Sequence, residues 1–205
     1  MTTDYLKKGH WLRPGGVFSK TSVTIHSTAN PNSTAKNERG WLDNPGNTRE
    51  ASWHYCVDDC GVLQAIPEEE EAWHCGKNEG NKHSIGIEIC ESGDRKKALE
   101  EAAKLTAQIL FRRGLGIGDI KRHYDWTGKN CPRILMDAMY IKGQMDWAYF
   151  LEEVKKQMEP VPQWKKEMIS YMLEKGWLNE EHEPTEKVDM ATLGAVLKNM
   201  KMREK

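Results

Sequence analysis

A chain of 205 residues can bury one sizeable α/β core and carry a small appendage besides. Thirty Lys and Arg against 31 Asp and Glu leave a net charge of −1, which argues against nucleic acid as the main partner. Hydrophobic residues make up 38% of the chain and form no long apolar run, so no transmembrane segment is expected.

The opening stretch MTTDYLKKGHWLRPGG lacks the apolar centre of a secretory leader, so the expected product is made in the cytoplasm without a classical signal peptide. In TSVTIHST, Val23 and Ile25 alternate with Thr24 and His26, which predicts a half-buried strand with the histidine off its apolar face. STAKNERGWLDN admits a helix against its Gly and Asn content, and SWHYCVDDCGVLQAI reads as two strands joined by a turn around Asp59–Gly61. Pro67 then breaks the strand, and the four glutamates at 68–71 read as a solvated loop. SIGIEIC is a further strand, with Ile85, Ile87 and Ile89 on one face and Gly86 and Glu88 on the other.

Asp94 is placed to cap a long helix whose Ala98, Ala102, Leu105 and Ile109 form an apolar stripe, ended by Gly114. Asp146 caps another, with Phe150, Leu151, Val154 and Met158 on one side. Strands followed by a long helix predict the α/β class, a central mixed β-sheet flanked by helices. Prolines 160 and 162 mark a linker that separates residues 1–158 from 159–205. In the latter, WKKEMISYMLEKGWL and MATLGAVLKNM give two helical patterns, a small C-terminal helical appendage.

Chemistry concentrates in KRHYDWTGKNCPR. His123 and Cys131 stand eight residues apart in a segment turned by Gly128 and Pro132, a pairing that can bring imidazole and thiolate to one metal ion. A catalytic zinc takes three protein ligands and leaves a place for water, and His26 at the end of its strand is the first candidate for the third. On spacing alone, a surface loop whose histidine and cysteine never meet remains open. Glu88 is alone among apolar neighbours; it either points to solvent or lines a polar cleft, where it would serve as general base. Lys129 offers a positive charge to an oxyanion, or is an ordinary solvated lysine.

The blocks TIHSTAN, ASWHYCVDDCGVLQAIP, AWHCG, NKHSIGIEI and HYDWTGKNCP occur in the order found in zinc-dependent N-acetylmuramoyl-L-alanine amidases. Residues 9–158 resemble that family, related to phage endolysin amidases and peptidoglycan recognition proteins. The resemblance implies Zn2+ held by His26, His123 and Cys131, with Glu88 as the acidic catalytic residue and Lys129 stabilising the transition state. It implies bacterial peptidoglycan as partner, cut between N-acetylmuramic acid and L-alanine, and action on the cell wall. One branch of the family has a catalytic tyrosine where this chain has Trp53, and an indole has no usable acid or base; Glu88 aligns the chain with the glutamate branch.

His74 matches a block lining the substrate groove. Trp73 and Trp126 neighbour that groove, and His54 is either a substrate contact or packing beneath it. Cys56 and Cys60, four apart, are either a disulfide or free thiols. The tail resembles one S-layer-homology repeat, which implies a secondary wall polymer as a further partner; a helical pair for packing or dimerisation is the alternative. Two rival readings are a non-catalytic muropeptide-binding module, which typically lacks the cysteine ligand, and a muramidase with two carboxylates.

Overall fold

Alternation within the expected strands resolves into one six-stranded sheet in the computed structural model, which describes residues 1–136, 145–159 and 163–177. The strands are β1 (Thr2–Thr3), β2 (Ser22–Ser27), β3 (Tyr55–Asp58), β4 (Gly61–Gln64), β5 (Ser84–Ile89) and β6 (Ile120–Arg122), in the order β1-β4-β3-β5-β2-β6. Only β3 and β4 run antiparallel, joined by the turn at Asp59–Cys60; the remaining pairs are parallel, so the sheet is mixed. The helices are α1 (Ala35–Leu42), α2 (Asn78–His83), α3 (Arg95–Arg113), α4 (His123–Thr127), α5 (Trp147–Met158) and α6 (Gln163–Glu174). The chain divides into two units, Met1–Met158 and Glu159–Lys205.

The two-residue period of a strand sends neighbouring side chains to opposite faces. On one face of the sheet Val23, Ile25, Tyr55, Val57, Ile85, Ile87 and Ile89 join the buried face of α3 and Phe150 and Val154 of α5 in the main core. Each buried Ile or Leu there contributes about 1.5–3 kcal/mol relative to exposure. Helix α3 begins as its sequence predicts: the Asp94 carboxylate accepts from the amides of Lys96 and Lys97, and Gly114 caps the far end. The opposite face carries a smaller core of Leu6, Leu12, Leu42, Trp53, Cys56, Leu63, Ile66 and Cys90, partly covered by α1. Helix α1 does form, with Thr34 and Asn37 making a reciprocal capping box.

Several local features went the other way. The glutamate run is not a solvated loop: Glu68 is buried, bonded by the Tyr55 hydroxyl at 2.7 Å and paired with Arg112 and Arg113. Burial pushes its carboxyl up, but the hydrogen bonds from Tyr55 and Arg113 together with the charges of Arg112 and Arg113 outweigh this and hold it below the usual range. Glu70 pairs with Arg13, fastening the N-terminal loop. Cys56 and Cys60 form no disulfide; Cys60 is exposed, whereas Cys56 lies 3.5 Å from Cys90 across the β3–β5 pair. The elements β1, α2, β6 and α4 are too short to carry a periodic signal.

In the second unit, α6 is followed by a turn at Gly176, and Tyr171 meets Trp177 edge-on at 5.5 Å. The second helical pattern of the tail and the turn before it lie outside the described residues. Among the described residues no helix is long and apolar enough to cross a membrane.

Candidate active site

Register brings the polar residues together. Pairing of β2 with β5 sets His26 beside Glu88, and pairing with β6 sets Ile25 beside Arg122, so His123 emerges next to His26. Gly128, at a φ of 74°, ends α4 in the left-handed conformation that glycine adopts at no steric cost, and turns the chain back on itself. The returning segment is fastened by the Tyr124 amide donating to the Cys131 carbonyl at 2.9 Å. Beyond Cys131, the Arg133 amide donates to Ser27 Oγ at 3.0 Å, and its guanidinium pairs with Glu91. Glu91 also accepts from the amide of Ala29, whose φ of 56° is unusual for a residue with a Cβ. The loops after β2 and α4 are thus tied to the end of β5.

The outcome is a cluster of three donors. His26 Nδ1 lies 3.0 Å from His123 Nδ1 and 3.8 Å from Cys131 Sγ, and the three ligand atoms all fall within 4.8 Å of one another. All three residues are buried. Hydrogen bonding fixes the state of His26. The Ser84 carbonyl can only accept, so His74 Nε2, 3.2 Å away, carries the proton and His74 Nδ1 is bare. That bare nitrogen, 3.0 Å from His26 Nε2, makes Nε2 of His26 the protonated one and leaves its Nδ1 lone pair aimed at His123 and Cys131. A lone pair, a second imidazole and a sulfur converging in this way suit a borderline-soft cation such as zinc, and the residues fit it.

Electrostatics agree with neutral ligands. Burial, with the neighbouring histidines and Lys129 adding to it, holds the His26 pKa well below its ordinary value. Burial, then Lys129 and Arg49, lower that of His123 to about 4. Burial and the Glu88 charge push the Cys131 thiol up to about 12 without a metal, so ligation has to release that proton.

Beside the cluster opens a cavity of about 460 Å³, lined by Glu88, Lys129 and Cys131, with Trp53, Trp41, Arg49, Asn37 and Glu38 among its walls. Glu88 Oε2 is buried without a hydrogen-bond partner among the described residues, as is the Trp53 indole nitrogen. Burial, with the Glu38 charge, raises the Glu88 pKa to about 8 against the opposing pull of Lys129 and Arg49. Trp41 stacks on Trp53 at 5.9 Å and 11°.

Five of the residues singled out in the sequence therefore meet here: His26, His123, Cys131, Glu88 and Lys129. The other four do not line the cavity. His54 is 0% exposed; its Nδ1 accepts from the Gly86 amide, so Nε2 donates to the Glu70 carbonyl, and substrate contact gives way to a framework role. His74 lies behind His26 with both nitrogens engaged, which replaces the expected groove-lining position. Trp126 donates to Thr24 Oγ1 at 2.9 Å, and Trp73 packs against the smaller core. Arg49, Trp41 and Glu38 are wall residues that sequence reasoning missed. Asn37 and Glu38 precede Trp41 by four and three residues and so flank it on one helix face, which was a usable signal; Arg49, in the loop after α1, had none.

The family model described as N-acetylmuramoyl-L-alanine amidase matches residues 19–134. The N-acetylmuramoyl-L-alanine amidase CwlA of Bacillus subtilis (strain 168) is 45% identical over 128 residues, 58% of this chain and 46% of that protein. The amidase XlyA of the same organism is 37% identical over 141 residues, 66% of this chain and 47% of that one. The solved catalytic domain of XlyA is similar at a TM-score of 0.67 and 33% identity, over 75% of this chain and 97% of the other. The catalytic domain of PlyG gives a TM-score of 0.65 at 30% identity, over 77% and 94%. The chain spans about half the length of the curated relatives it matches.

Proposed function

Because this chain belongs to the N-acetylmuramoyl-L-alanine amidase family, we propose that it hydrolyses the amide between N-acetylmuramic acid and L-alanine in bacterial peptidoglycan, acting on the cell wall. The observation that supports this best is the meeting of a three-donor cluster with an unpartnered carboxyl and a free ammonium around one cavity.

His26, His123 and Cys131 would hold zinc, which when bound supplies Lewis acidity for the scissile carbonyl and lowers the pKa of water to about 7. The residues of the chain do the rest. His74 and the Ser84 carbonyl keep His26 in the tautomer that leaves Nδ1 free to ligate. Glu88, whose carboxyl would ionise once a dication beside it lowers the pKa of about 8 that burial gives it, would take a proton from the attacking water as oxygen bonds to the lactyl carbonyl carbon. It returns that proton to the L-alanine nitrogen as the carbon–nitrogen bond breaks. Lys129 faces the same cavity and offsets the negative charge that gathers on the carbonyl oxygen.

The test is digestion of purified cell walls by chelated and zinc-reloaded protein, with products read by mass spectrometry. Stem peptides bearing a new L-alanine amino terminus should disappear with the chelator and return with zinc. Equal release from both samples would overturn the zinc assignment. New reducing ends without freed amino groups would replace the amidase with a glycan-cleaving enzyme, and wall binding with no release would make the chain a binding module.

A further inference from the structure

Eight arginines have described side chains, and seven are engaged. Arg13 pairs with Glu70, Arg39 with Asp4 and Asp43, Arg112 and Arg113 with Glu68, Arg122 with Asp125, and Arg133 with Glu91. Arg95 donates to the carbonyls of Ile134 and Met145. Arg49 alone among them has no hydrogen bond or ion pair to its guanidinium, and it stands exposed on the wall of the active-site cavity. The acidic groups on that wall are Glu38 and Glu88, and neither is paired with it. A guanidinium with no partner of its own is available to an anion entering the cavity, and its planar fork suits a carboxylate better than any other small anion of a peptide.

We infer that Arg49 is a specificity-determining residue that reads a free carboxylate on the peptide side of the substrate, one residue beyond the scissile amide. The inference rests on the amidase reading above. The cavity, at about 460 Å³, is of the size that admits a dipeptide-sized ligand. An extended peptide advances roughly 3.3–3.6 Å per residue, so the second residue after the muramoyl group stays within the same cavity. Lys129 stands two residues before the ligand Cys131, whereas Arg49 belongs to the loop after α1, so Lys129 lies by the donor cluster and Arg49 on another part of the same wall. When the second residue is a glutamate joined through its side-chain carboxyl, its α-carboxyl is the first anionic group the enzyme meets, and cell walls differ in whether it is free or amidated. Arg49 would therefore sort substrates by that one group.

The experiment compares two muramoyl dipeptides that differ only in a free or an amidated α-carboxyl on the second residue. Wild-type protein should favour the free acid by about tenfold in kcat/KM, through KM rather than kcat. Arg49→Met should bring the acid-to-amide ratio to about one, and Arg49→Lys should keep part of the preference. A wild type without preference, or an Arg49→Met protein that keeps it, overturns the inference. Calorimetric binding of the same two compounds reads Arg49 separately from turnover. If neither compound is cut yet the acid binds tighter and Arg49→Met abolishes that difference, the amidase reading falls and the role of Arg49 stands.

Discussion

The two faces of the central sheet are built from the same strands and do opposite work. On one, Ile25, Ile85, Ile87 and Ile89 lie against α3 and α5, and no titratable group of the site intrudes. On the other, offset by a single residue, come His26, Gly86 and Glu88. The first face holds its residues because apolar area leaves water there. The second holds polar groups in places where burial costs free energy: His26 kept neutral, Glu88 kept largely protonated and lacking a partner at Oε2. Stability and chemistry are thus separated by the parity of the strand, and a substitution at position n or n+1 of β5 should report on one or the other.

Glu88→Gln tests the polar face with the largest expected effect. Losing the proton carrier should lower kcat by about 10²–10⁴-fold while zinc is retained, as measured by turnover and metal content. The same variant should change how stability responds to pH in the metal-free protein. The Glu88 carboxyl has a folded pKa of about 8, above that of the unfolded chain, so its contribution is fully present at acid pH. As pH rises from the ordinary carboxylate range to about 8, the unfolded chain releases this proton and the folded one does not, and stability is lost. Denaturant midpoints at about pH 5 and about pH 8 should differ less in the variant than in wild type. An equal difference would mean that Glu88 is ionised in the folded protein across that range.

Ile87→Ala, one position away, should do the reverse. Its side chain is fully buried between Ile25 and Tyr55, and truncation there should cost about 2–5 kcal/mol in denaturant unfolding. Activity per folded molecule should stay within the same order. A variant that unfolds no more easily but loses turnover would refute the separation of the two faces.

The alternation that separates these faces was legible in SIGIEIC and TSVTIHST, because a period of two is written locally. The pairing of His123 with Cys131 was legible in part: Gly128 between them can turn the chain, but the spacing alone also allowed a loop in which the two never meet. What could not be read depends on partners far along the chain. Glu68 sits in a run of four acids that looks solvated, and its burial follows from Arg112 and Arg113, 44 and 45 residues later. Strand β6 has three residues and exists because β2 offers it an edge. His74 was expected at the groove, and His54 either there or in packing, because both sit in blocks that resemble the amidase family, and only the sheet reveals that each has both nitrogens taken from within. Arg49 stands out only once every other described arginine is seen to have a partner.

The smallest expected effect concerns the line from Ser84 through His74 to His26, which joins the scaffold to the metal ligands. Removing the imidazole in His74→Ala leaves His26 free to rotate or to adopt the other tautomer, which should weaken zinc retention by about 10–100-fold. Gly86 makes that placement possible: a Cβ there would stand 2.6 Å from His74 Cγ, so Gly86→Ala has to displace the ring. Because His54 also accepts from the Gly86 amide, the backbone at that point is held and the ring is what gives way. Competition for zinc against a chromophoric chelator should show both variants weakened in the same direction. If His74→Ala binds zinc as wild type does, the tautomer of His26 is set by the metal itself and the histidine line is only packing. If Gly86→Ala alone is normal, the ring can shift without moving the ligand, and the rigidity of this face is less than the close approach of Gly86 to His74 implies.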